Sequence, residues 1–156
     1  MSLIKQIAKT VVPKPRYYRV DGYGTHRRVL ELSIKHLLET YGDVQTWIFE
    51  IGTGGESSKF FRQLVDMFSS IHLVSFENNQ EWFDKYKEKY LPNPRHKIQL
   101  VTNDKFWKEI IQNELDKVPK GSKILVFIDS SPWESRCTAL EIFKYAAELV
   151  IIHDCD

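Results

Sequence analysis

Five short apolar runs recur along the chain, and each of the first four gives way to a stretch whose apolar residues are spaced three and four apart. The runs are residues 47–51 (WIFEI), 71–76 (IHLVSF), 97–102 (KIQLVT), 123–128 (KILVFI) and 148–152 (ELVII). They are rich in β-branched and aromatic side chains and carry few charges, as parallel strands buried on both faces do. Phe60, Phe61, Leu64, Val65 and Phe68 follow the first run at helical spacing, and Trp82, Phe83, Tyr86 and Tyr90 follow the second. That second stripe is expected to be core against the sheet rather than a platform for a ligand. Residues 105–115 and 133–147 supply the next two helices. A further helix, with Val29, Leu30, Ile34, Leu37 and Leu38 on its apolar face, precedes the first run. Thr25 is its expected N-cap and Gly42 its stop. Regular alternation of strand and helix predicts an α/β, Rossmann-like, doubly wound and mostly parallel sheet, with strand order 3-2-1-4-5.

The first third reads differently. Residues 2–12 form a short cationic amphipathic pattern that ends at Pro13, and residues 13–19 (PKPRYYR) are held extended by their prolines. Residues 1–24 are therefore expected to be an arm or lid, and residues 25–156 the folded domain. The basic residues beside Tyr17 and Tyr18 form too short a run for a nucleic-acid patch. With 22 basic and 21 acidic side chains, no bulk field draws the chain to nucleic acid or to a membrane. Its two cysteines, Cys137 and Cys155, form no disulfide framework, which suits a reducing, cytoplasmic compartment. No run approaches the roughly 18 apolar residues of a membrane span, and the N-terminus lacks the pattern of a signal peptide. At 156 residues the chain is long enough for one domain with a proper core.

The chemistry gathers where the runs end. Glu50 precedes the glycine stretch Gly52-Thr53-Gly54-Gly55, which opens directly into a helix. Strand, glycine turn and helix let a backbone approach a nucleotide closely. A dinucleotide fingerprint wants a third glycine where Ser57 stands, and Glu56 inside the loop would repel a pyrophosphate. Glu50 suits a cationic ligand instead. The second run ends in Glu77-Asn78-Asn79, the third in Asn103-Asp104, the fourth in Asp129-Ser130-Ser131-Pro132-Trp133 and the fifth in His153-Asp154-Cys155-Asp156. Carboxyl ends of strands are where open α/β sheets bind ligands.

The pattern Glu50-x-Gly52-x-Gly54, with Glu77 one strand later, resembles the class I S-adenosylmethionine-dependent methyltransferases. The nearest likeness is to the metal-dependent O-methyltransferases acting on sugars and other small molecules. The resemblance implies that Glu50, Gly52, Thr53, Gly54, Glu77, Asn78, Asn103, Asp104 and Asp129 hold the cofactor. Glu77 would accept the ribose hydroxyls, and Asn78 with Asn103 or Asp104 would lie by the adenine. Asp104 also suits a plain helix cap, and Glu77 a plain strand end. Tyr23, Thr25 and His26 either face the methionine end of the ligand or make only a turn and cap. Asp129, Asp154 and Asp156 would bind Mg²⁺ or Mn²⁺, hard cations that take oxygen ligands. Catalysis would fall to Asp129, His153 and Asp154. His153 would take the acceptor's proton or support the site through a hydrogen bond, since imidazole titrates near neutrality.

Competing readings stay open. Ser130-Ser131-Pro132-Trp133 partly matches the motif with which amino-methyltransferases hold a planar amine, although Pro132 equally suits the first turn of a helix. Arg136 either steers an anionic acceptor, such as a nucleotide sugar, or pairs with Asp129 or Glu134. A catalytically weak cofactor-binding partner subunit is a further alternative, and a nicotinamide oxidoreductase the third. The family's strands six and seven have no counterpart here. Strand five is therefore expected at a bare edge, covered by self-association or by further domains of a longer chain.

Overall fold

In the computed structural model, which describes residues 26–102 and 107–153, all five apolar runs are strands. The chain divides into two compact units, Met1–Val44 and Gln45–Asp156. In the first unit, α1 (Arg27–Tyr41) buries Leu30, Ile34, Leu37 and Leu38. Gly42 stops it as expected, at φ +72°, with its N–H donating to the Leu38 carbonyl at 3.0 Å. His26 holds the N-cap position in a helical conformation and makes no side-chain cap. Thr25, expected in that role, lies outside the described residues, as do Tyr23 and the arm.

The second unit runs β1 (Thr46–Ile51), α2 (Ser57–Met67), β2 (Ile71–Glu77), α3 (Gln80–Tyr90), β3 (His96–Leu100), α4 (Trp107–Leu115), β4 (Lys123–Ile128), α5 (Trp133–Phe143) and β5 (Leu149–Ile152). The strands form one sheet in the order β3-β2-β1-β4-β5, every pair parallel. This is the α/β, Rossmann-like arrangement that the alternation of runs predicts. Thr46 stands beside both Ile71 and Lys123, so β2, β1 and β4 keep step along their length.

Alternate residues feed two cores. Phe49, Ile51, Val74, Phe76, Val126 and Ile128 pack with Trp107 and Ile111 of α4 and with Ala139 and Phe143 of α5. The Phe49 and Phe143 rings meet at 4.9 Å between centroids. On the opposite face Phe61 of α2 meets Phe127 edge-on, and Tyr86 and Tyr90 of α3 pack with Ile98. Each such side chain contributes about 1.5–3 kcal/mol on burial, which is why the runs tolerate few charges.

Two element ends and one side chain differ from the sequence pattern. β3 ends at Leu100 rather than at residue 102, because its partner β2 ends at Glu77, opposite Leu100. α5 ends at Phe143 rather than at residue 147. Phe143 is fully buried, and the chain turns there so that the Glu148 N–H can join the ladder at the Ile124 carbonyl, 3.0 Å away. Finally, Trp82 is 40% exposed and is not part of the core. α3 starts only two residues beyond β2, which leaves its first turn level with the carboxyl edge of the sheet, and Tyr86 and Tyr90, with Phe83 partly buried beside them, reach inward.

Candidate functional site

Where β1 leaves the sheet, its backbone is squeezed between its two neighbours. The Gly52 N–H donates to the Phe76 carbonyl at 2.9 Å, and the Asp129 N–H donates to the Ile51 carbonyl at 2.8 Å. Gly52 has φ +92°, and a Cβ there would stand 2.6 Å from the Asp129 carbonyl oxygen. Only glycine satisfies both conditions. The turn it permits opens a cleft of about 490 Å³ over the ends of β1, β2 and β4. Gly52, Thr53, Glu77, Asn78, Asn79, Trp82, Asp129 and the segment Ser130-Ser131-Pro132 line it. Its size falls within the range of small-molecule sites, and its position is the switch point of a doubly wound sheet.

Glu77 organises the near wall. Its Oε2 accepts from the Thr53 N–H at 2.9 Å and from the Thr53 hydroxyl at 2.5 Å. Its Oε1 accepts from the N–H groups of Asn78 and Asn79, at 2.9 and 2.8 Å. One carboxylate thus fixes the glycine loop and the start of α3 together. Asn79 caps α3 by accepting from the Trp82 N–H at 3.1 Å. Asn78 donates its amide to the Ser131 carbonyl and so spans from β2 to the β4 loop.

The far wall is built around Asp129. Its Oδ1 accepts from His153 Nδ1 at 3.0 Å and lies 3.5 Å from the Arg136 guanidinium. Arg136 also donates to the carbonyls of Ser130, at 2.7 Å, and of His153, and it lies over the Trp133 ring. The ends of β4 and β5 are therefore tied by one side chain. Ser130 is buried, with its hydroxyl 2.6 Å from that of Ser135. Pro132 takes the N-cap position of α5, consistent with a structural role there.

Glu50 departs from expectation. It is fully buried on the α2 side of the sheet, between Ser75 and Phe127 in the register, and it does not line the cleft. Ser58 and Ser75 donate to its two oxygens at 2.8 and 2.7 Å. Burial pushes its pKa up to about 7, against the lowering effect of the serine hydroxyls. The Ser58 hydroxyl in turn accepts from the Gly54 N–H at 3.1 Å, so Glu50 acts on the glycine loop only through a serine. Ser75 also lies 3.3 Å from His96 Nε2, and burial lowers the His96 pKa to about 4.

Of the residues expected at the site, Gly52, Thr53, Glu77, Asn78 and Asp129 meet in one cleft, with His153 bonded to Asp129. Glu50 and Gly54 do not line it. Asn103, Asp104, Asp154 and Asp156 lie outside the described residues. Trp82 is a cleft residue that the sequence pattern places in the core instead. Its position in the first turn after a strand end was the available signal, and the stripe with Tyr86 and Tyr90 concealed it. The cleft presents a carboxylate at the end of β2, an exposed indole beside it, and a glycine turn with no room for a Cβ. Of the three carboxylates expected to bind a divalent cation, Asp129 alone is described, and its Oδ1 already meets His153 Nδ1 and the Arg136 guanidinium.

Among the described residues, no helix is long and apolar enough to cross a membrane. Comparison of the chain with protein-family models and with curated protein sequences finds no match to either.

Proposed function

We propose that this chain binds S-adenosylmethionine in the cleft and transfers a methyl group to a hydroxyl of a sugar or another small molecule, in the cytoplasm. The observation that supports this reading is the meeting of Gly52, Glu77 and the Asp129–His153 pair at one sheet edge. When bound, the cofactor supplies a methyl group activated by its sulfonium. The chain's own residues do the rest. Glu77 and the neighbouring asparagines hold the ribose and adenine side, and the exposed face of Trp82 gives that end an apolar wall. An acceptor hydroxyl held in line with the methyl carbon gains much of its rate from proximity. As the new O–C bond forms and the S–C bond breaks, the hydroxyl proton passes to His153. Asp129, bonded to its Nδ1, fixes the orientation of that imidazole.

Calorimetry is expected to show S-adenosylhomocysteine binding in the micromolar range, about −8 kcal/mol, and no binding of NADH. His153→Asn should keep that affinity and lose methyl transfer to a responsive acceptor. NADH binding with S-adenosylhomocysteine silent would overturn the reading.

A further inference from the structure

Every acceptor position on Glu77 is taken by the protein itself. An ionised carboxylate offers roughly four lone-pair sites. Here the donors are the N–H groups of Thr53, Asn78 and Asn79 and the Thr53 hydroxyl. Glu77 is only 6% exposed, yet it forms part of the cleft lining. Three of its four donors are main-chain groups, and moving them would unwind the glycine turn or the start of α3. The fourth is a hydroxyl on a half-buried side chain that turns about one bond.

We propose that Thr53 sets the affinity of the cleft by competition: its hydroxyl occupies the place on Glu77 Oε2 that a ligand's sugar hydroxyl must take, and it yields only to a ligand that presents one. This rests on the reading of the cleft as an adenosine-type site. A ligand without the sugar hydroxyl leaves the Thr53–Glu77 bond closed and gains nothing from Glu77. A ligand with it exchanges one charge-assisted hydrogen bond for another, so the threonine reduces affinity while it keeps the carboxylate satisfied in the empty cleft.

Two substitutions separate this role from a structural one. Thr53→Ala removes the hydroxyl and leaves the position open, whereas Thr53→Val fills it with a methyl group that cannot donate. Far-UV circular dichroism first establishes that both variants are folded. Calorimetry with S-adenosylhomocysteine is then expected to show about five- to tenfold tighter binding to Thr53→Ala, and weaker binding to Thr53→Val. The affinity of 2′,3′-dideoxyadenosine, which lacks the diol, should be the same for all three proteins. Binding of S-adenosylhomocysteine that is equal or weaker in Thr53→Ala, with the wild type binding normally, overturns the role of Thr53 alone. A folded wild type that binds no S-adenosylhomocysteine overturns the cofactor reading, and the Thr53 proposal with it.

Discussion

Glu50 and His96 share the hydroxyl of Ser75, and burial moves their pKa values in opposite directions. The folded value of Glu50, about 7, lies above its ordinary 4.5, so the folded state keeps a proton that the unfolded state releases. Its contribution to stability is full below pH 4.5, falls as pH rises towards 7, and amounts to about 3 kcal/mol. The folded value of His96, about 4, lies below its ordinary 6.5, so the unfolded state takes up a proton that the folded state refuses. Its contribution is full above pH 6.5 and falls as pH drops towards 4. Between about 4.5 and 6.5 the two slopes oppose each other. Glu50→Gln removes the first slope. Urea unfolding should find the variant more stable than wild type at pH 8, by up to about 3 kcal/mol, and losing stability steadily below pH 6.5. Parallel curves for the two proteins from pH 5 to 8 would sink this account. That Glu50 is special was legible in the sequence, as an acid inside a buried strand. Its partners were not, because the register that sets it beside Ser75 depends on strand pairing that local pattern does not encode.

At the scale of elements, the carboxyl edge holds together through side chains that bridge strand ends. Glu77 joins the glycine turn to the start of α3, and Arg136 of α5 joins the β4 loop to the end of β5. Arg136 does so with a planar fork of donors that lysine lacks. Arg136→Lys should therefore cost about 2–3 kcal/mol in urea unfolding, since bonds to a charged donor are lost from partly buried carbonyls. It should also weaken S-adenosylhomocysteine binding by displacing Asp129. Unchanged stability in the variant would mean that the carbonyls at the two strand ends need no such tie. The strands followed from the apolar runs, because burial on both faces leaves a strong imprint on sequence, and their order from the doubly wound arrangement that alternating strands and helices adopt. Element ends were less legible. α5 stops at Phe143 because the chain must turn into β5, and β3 stops at Leu100 because β2 offers no further partner. Both causes lie in other segments. Trp82 was misread for a related reason: its spacing matches the buried tyrosines, but the helix reaches past the sheet at that point.

At the scale of the whole molecule, the sheet has two edges among the described residues, and they are unequally protected. β3 carries an exposed lysine, Lys97, paired with Glu114 at 2.7 Å, and a charge of that kind discourages strand addition. β5 reads Leu149-Val150-Ile151-Ile152, has no charge, is half-buried throughout, and among the described residues has β4 as its one strand neighbour. An uncharged apolar edge is the side on which another strand adds. Static light scattering over a concentration series should therefore show mass rising with concentration. Val150 and Ile152 pack on the α4 and α5 core, whereas Ile151 points to the other face, so a charge at Ile151 disturbs that core least. Ile151→Lys should abolish the rise and leave the circular dichroism spectrum unchanged. A wild type of constant monomeric mass at every concentration would show that the β5 edge is covered within a single molecule. Association that persists unchanged in Ile151→Lys would move the contact away from β5, to another surface of the protein.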